Sequence, residues 1–120
     1  MRIMIVDDSK AMRMIITRAL RQAGYGHHTL EQASNGAEAL QAIRTAAPDI
    51  VLSDWNMPDM SGIQLLEALR ADGVQLTFGF VTAEGSPEIR KAAMAAGALF
   101  LITKPFTVES FQEALAPVMP

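Results

Sequence analysis

The sequence predicts an α/β fold, a doubly wound (βα)5 chain whose five strands form one parallel sheet covered by helices on both faces. Three observations predict it. Short apolar runs alternate with amphipathic stretches five times along the 120 residues, which is the pattern of a strand–helix repeat. The runs are apolar enough to be buried on both sides, as parallel strands are. Capping residues, glycine and proline stand where helices should begin and end.

Residues 3–6, Ile-Met-Ile-Val, are the first strand. Over residues 10–23, Met12, Ile15, Ile16, Ala19, Leu20 and Ala23 repeat at helical spacing and define one inner face; Gly24 is placed to end that helix. Residues 28–34 are a weaker strand, expected nearer an edge. Asn35 followed by Glu38 is a capping pair for a second helix that carries Ala39, Leu40 and Ile43 inward. Residues 50–52 are the third strand, and Ser61 with Gln64 opens a third helix bearing Ile63, Leu66 and Leu69. Residues 76–81 are the fourth strand. Ser86-Pro87 opens the fourth helix, with proline at the first helical position, and Gly97 closes it. Residues 99–102 are the fifth strand. Thr107 opens the last helix, with Val108, Phe111, Leu115 and Val118 on its inner face; Pro117 and Pro120 should stop it near Ala116. No linker or repeat divides the chain, so residues 1–120 are read as one domain.

Bulk properties narrow the function. The chain is 50% hydrophobic and 19% charged with a net charge of −3, which supplies one core and argues against a nucleic-acid or anionic-membrane surface. It has no cysteine, which excludes disulfides, thiolate zinc sites and thiol catalysis. No apolar run has the length of a membrane span and no signal-peptide pattern appears, so a cytoplasmic protein is expected.

Ligands of open parallel sheets bind outside the carboxyl ends of the strands. The strong polar candidates all fall there: Asp7 and Asp8 after the first strand, Asp54 after the third, Thr82 after the fourth, Lys104 after the fifth. Three carboxylates at one edge repel one another, and two unit charges about 4 Å apart cost roughly 4 kcal/mol at an effective dielectric of about 20. A divalent cation relieves that repulsion. Oxygen ligands without Cys or His point to a hard ion, Mg²⁺ before Ca²⁺. Aspartate forms acyl phosphates, and Asp54 is the candidate nucleophile because the metal and Lys104 would flank it. Lys104 and Thr82 add charge-assisted and hydroxyl contacts to a phosphoryl group. No Gly-rich ATP loop is present, so the phosphoryl donor is another protein or a small acyl phosphate.

The stretches Ile5-Val6-Asp7-Asp8-Ser9, Asp54-Trp55-Asn56-Met57-Pro58 with Ser61-Gly62, Val81-Thr82-Ala83-Glu84, and Lys104-Pro105-Phe106 resemble bacterial two-component response-regulator receiver domains, closest to the chemotaxis type. The resemblance covers essentially the whole chain. It implies the flavodoxin-like strand order 2-1-3-4-5, of which chemotaxis regulators are a standard example. It implies Asp54 as phosphoacceptor in a Mg²⁺-dependent reaction, Asp8 as a direct metal ligand, Asp7 acting through water, and the Asn56 carbonyl as a further ligand. Thr82, Lys104 and the main-chain N–H groups of Asn56 and Ala83 would face the phosphoryl oxygens, and the Lys104–Pro105 bond would be cis. The implied partners are a sensor histidine kinase or phosphotransfer protein and a downstream protein that contacts the face of the last two helices. One position departs from the pattern: Leu101 stands where the family usually has Tyr or Phe, and its neighbour Phe100 points to the opposite side of the strand.

Two rival readings use the same residues. A Mg²⁺-dependent phosphohydrolase would also form an aspartyl-phosphate, but Asp7-Asp8 is not the alternating acid pair of the haloacid-dehalogenase type and no cap insertion is visible. An FMN-binding flavodoxin-like module would place an acidic loop against the flavin phosphate. Trp55 is expected exposed beside the site, with a partly buried packing residue as the alternative; Asn56 and Glu84 are expected at the pocket mouth. His27 and His28 read as a solvated turn, the methionines mainly as core filling, and Arg13, Arg18 and Arg21 as the wet face of the first helix.

Overall fold

The computed structural model describes residues 1–119. In chain order they form β1 (Arg2–Val6), α1 (Lys10–Leu20) continued by a wider turn over Arg21–Tyr25, β2 (Thr29–Ala33), α2 (Gly36–Thr45), β3 (Ile50–Ser53), α3 (Gly62–Ala71), β4 (Thr77–Thr82), α4 (Pro87–Ala96), β5 (Phe100–Thr103) and α5 (Val108–Leu115). The five strands are parallel and ordered β2-β1-β3-β4-β5, so the weak second strand lies at an edge as expected.

Alternation along the strands feeds two cores. On one face Met4, Val6, Val51, Phe78, Phe80 and Leu101 pack with residues of α2, α3 and α4. On the other, Ile3, Ile5, Leu52, Val81, Phe100 and Ile102 pack with α1 and α5. Phe100 and Leu101 therefore face opposite layers. Phe78, Phe80 and Phe111 are wholly buried, and burying each contributes about 1.5–3 kcal/mol.

The helix ends follow their side chains. The Ser61 hydroxyl and Gln64 amide reciprocate in a capping box, Ser86 caps α4 with Pro87 following, and Gly97 ends that helix in the left-handed conformation. Asn35 caps α2 through the Glu38 N–H, but Glu38 does not return the bond; its carboxylate takes the Ser34 N–H and hydroxyl instead.

Three expectations are corrected. The first helix keeps α geometry only to Leu20, then winds wider to Tyr25, with Gly24 left-handed at φ 101°. Ile15 is half exposed. The buried stripe centres on Ile16 and Leu20 and takes in Thr17, whose hydroxyl donates to the Arg13 carbonyl; Ile15, 100° behind Ile16, falls off the other flank. Val118 lies beyond α5, which stops at Leu115, yet it packs on the second core. The methionines are mainly core filling, as expected: Met4 is buried and Met12, Met57, Met60 and Met119 pack against the two cores, whereas Met1, Met14 and Met94 are exposed. Of the two prolines expected to stop the last helix, Pro117 follows its end and Pro120 lies outside the described residues.

Candidate functional site

The site forms where β1, β3, β4 and β5 release the chain at the carboxyl edge of the sheet. Main-chain bonds continue the ladders one residue further and so fix each side chain. The Asp7 N–H donates to the Ala33 carbonyl (3.2 Å), the Asp54 N–H to the Val6 carbonyl (2.9 Å) and the Lys104 N–H to the Thr82 carbonyl (2.9 Å). Parallel register places Ser53 beside Val6 and Thr103 beside Thr82.

These constraints bring Asp7, Asp8 and Asp54 together, with one carboxylate oxygen from each lying within 4.8 Å of the others. Asp7 is buried, Asp54 half-buried and Asp8 exposed. The Lys104 ammonium bridges two of them, at 3.0 Å from Asp7 Oδ2 and 3.2 Å from Asp54 Oδ2. Asp7 Oδ1 accepts the Ser9 N–H at 2.9 Å, and Asp54 Oδ1 accepts the Trp55 N–H at 2.7 Å. Three carboxylates face one ammonium, so negative charge is in excess. The acids do not cap α1; Ser9 does.

Burial pulls the Lys104 ammonium towards deprotonation. The hydrogen bond it donates to Asp7 and the charges of Asp54 and Asp7 outweigh it, and its pKa stands above the ordinary 10.5. A raised lysine stabilises the fold fully below its unfolded pKa, and that contribution is lost as pH rises through the folded value. The metal-free protein should therefore lose thermal stability as pH climbs past 10.5, and Lys104→Met should flatten that part of the curve. Parallel Tm–pH curves for parent and variant between about pH 10 and 12 would contradict the coupling.

Thr82 ends β4 rather than following it and is wholly buried. Its Oγ1 accepts the Glu84 N–H at 3.1 Å, which leaves the hydroxyl proton available as a donor. Asn56 and Glu84 are both exposed, and the Asn56 amide reaches the Glu84 carboxylate at 3.4 Å. Trp55 is partly buried, its ring 4.8 Å from that of Phe80, which corrects the expectation of an exposed indole. The Lys104–Pro105 bond is cis. His27 and His28 lie in a turn between the first helix and β2, their rings tilted with centroids 3.9 Å apart, and neither belongs to the acidic cluster.

Sequence reasoning missed the residues that hold the site without pointing into it. The Ser53 hydroxyl donates to the Asp54 carbonyl at 2.9 Å. The Gly62 N–H donates to the Trp55 carbonyl at 2.8 Å. Arg13, read as a solvated charge, instead donates to the Asp7 carbonyl at 2.7 Å and to Gln32 at 3.0 Å. A signal for it existed: a cation near a helix N-terminus opposes the helix dipole and calls for a local partner.

Comparison with known proteins places the chain among like molecules. The profile of the response regulator receiver domain matches residues 3–116. The chain is 39% identical over 117 residues to the chemotaxis protein CheY-3 of Vibrio cholerae, covering 96% of this chain and 88% of the relative. It is 38% identical over 120 residues to the chemotaxis protein CheY of Pseudomonas aeruginosa, covering 98% and 95%. The solved structure of Vibrio cholerae CheY4 superposes with a TM-score of 0.85 at 32% identity, covering 98% of each chain.

Proposed function

Because the chain belongs to the response regulator receiver domain family, we propose that Asp54 is its phosphoacceptor and that Mg²⁺ is the ion its acidic cluster holds. The family makes it a phosphoacceptor signalling module rather than a turnover enzyme. What carries the proposal is the convergence of Asp7, Asp8 and Asp54 within 4.8 Å of one another, with Lys104 bonded to two of them. The same family membership displaces the phosphohydrolase and flavin readings.

The donor set fits a hard divalent cation. It is all oxygen, carries excess negative charge, and has no thiolate or imidazole beside it. Asp7, Asp8, Asp54 and the Asn56 carbonyl would hold the ion. When bound, Mg²⁺ neutralises carboxylate charge and accepts a phosphoryl oxygen.

The chain's own groups do the rest. A carboxylate oxygen of Asp54 attacks phosphorus; the bond from phosphorus to the donor imidazole breaks, and its electron pair stays with that nitrogen. Lys104, already against Asp54, meets the charge of the arriving phosphoryl group. Thr82 donates the hydroxyl proton that Glu84 leaves free, and the Asn56 and Ala83 N–H groups serve the remaining oxygens. The donor by this reading is a sensor histidine kinase or phosphotransfer protein, and the setting is the cytoplasm; no helix among the described residues is long and apolar enough to cross a membrane. Residues 1–120 act as one receiver domain. The output surface is the α4–β5–α5 face, driven through Thr82, because the aromatic partner position holds Leu101, buried towards α3 and α4.

The test is direct. Acetyl phosphate with Mg²⁺ should add about 80 Da to the intact protein, and EDTA should stop it. Labelling that persists without divalent metal, or repeated turnover of a phosphomonoester, would count against the proposal.

A further inference from the structure

We propose that Arg13 is a positioning residue for the metal site: its guanidinium fixes the Asp7–Asp8 peptide and thereby aims Asp8. The inference rests on the Mg²⁺ reading above.

Asp8 is the one acid of the cluster that is exposed. Among the described residues its carboxylate takes part in no hydrogen bond, whereas Asp7 is held by Ser9 and Lys104 and Asp54 by Trp55 and Lys104. Asp8 must therefore be placed by its backbone. The Asp7 carbonyl lies in the same planar peptide unit as the nitrogen and Cα of Asp8, so fixing the carbonyl fixes where the Asp8 side chain starts.

Arg13 supplies that restraint. From the first turns of α1 its Nη1 donates to the Asp7 carbonyl at 2.7 Å. Its Nε donates to Gln32 Oε1 at 3.0 Å. Gln32 belongs to β2 and is in register with Ile5 of β1, so the guanidinium is braced against the sheet. On the other side of the same residue, the Asp7 N–H donates to the Ala33 carbonyl. The segment that presents both acids is thus gripped by α1 through its carbonyl and by β2 through its N–H. A planar fork with several fixed donors suits this task, and a lysine ammonium does not.

Charge and positioning predict opposite signs. Arg13 is a cation near a cation site, so electrostatics alone makes Mg²⁺ bind more tightly once it is removed. Loss of an outer-shell brace instead weakens metal binding, commonly by about tenfold or more. The experiment is a Mg²⁺ titration followed by Trp55 fluorescence and by the metal-dependent rise in Tm, without any phosphodonor. Arg13→Ala should raise the apparent Kd about tenfold. Arg13→Lys, which keeps the charge, should recover only part of that, and Gln32→Ala, an exposed substitution, should raise the Kd about threefold by releasing the brace. If the parent saturates and Arg13→Ala binds as tightly or more tightly, the positioning role is overturned while the metal reading stands. If the parent shows no saturation, both fall.

Discussion

Replacing Asp54 with Asn should abolish labelling by acetyl phosphate: the increment of about 80 Da expected in the parent should be absent from Asp54→Asn at any Mg²⁺ concentration. The substitution keeps the shape of the side chain and removes the nucleophilic carboxylate. The other two acids are poorly placed to replace it. Asp7 is 1% exposed, and both of its oxygens are engaged, one by the Ser9 N–H and one by Lys104. Asp8 is exposed, but the Lys104 ammonium reaches Asp7 and Asp54 and not Asp8. A phosphoryl group arriving on Asp8 would lack the cation that meets it on Asp54. Intact-mass measurement after a fixed incubation reads the result, and equal labelling of the variant would assign the nucleophile elsewhere.

The candidate site residues were legible because the fold gives them an address. Apolar runs mark where strands stop, and every acid or lysine directly after a run of a parallel sheet arrives at the same edge. Asp7, Asp54 and Lys104 needed only that rule, and the structure brings the Lys104 ammonium within hydrogen-bond distance of both acids. Capping was legible for the same local reason, as Ser61 and Gln64 illustrate. What stayed hidden depends on contacts between distant segments. Arg13 looks like any charge on the wet side of a helix until folding brings the Asp7 carbonyl and Gln32 within reach of its guanidinium. Trp55 follows Asp54 in sequence, yet its ring turns back onto Phe80, a residue far along the chain. Ile15 fits helical spacing as well as Ile16 does; only the docking angle of α1 decides which of them the core receives. Met14 and Met94 stay exposed for a related reason, since an apolar residue at core spacing can equally lie on a stripe's outer margin.

Gly62 shows how far such a distant contact reaches, and Gly62→Ala should be among the most damaging single changes in the chain. Glycine is a poor helix residue, and alanine at a helix position ordinarily gains up to about 1 kcal/mol. Here the sign should reverse. A Cβ on Gly62 would overlap the Asp54 carbonyl oxygen and stand 3.1 Å from its carbonyl carbon and 2.9 Å from Phe80 Cε1. Neither neighbour can move cheaply. The Asp54 carbonyl accepts the Ser53 hydroxyl, its N–H is tied to Val6, and Phe80 is wholly buried between Phe78 and Trp55. Overpacking of this kind costs about 1–3 kcal/mol, occasionally more, and the upper end applies where the opposing atoms are backbone. Relief comes by lifting the start of α3 from the Trp55 carbonyl that the Gly62 N–H holds, or by displacing Asp54 itself. The first lowers stability and the second also slows phosphorylation, so the variant should show a depressed denaturant midpoint in EDTA together with slower acetyl phosphate labelling. A Gly62→Ala protein as stable and as quickly labelled as the parent would mean that the loop after Asp54 yields freely. The position of Asp54 would then owe little to the helix that follows it.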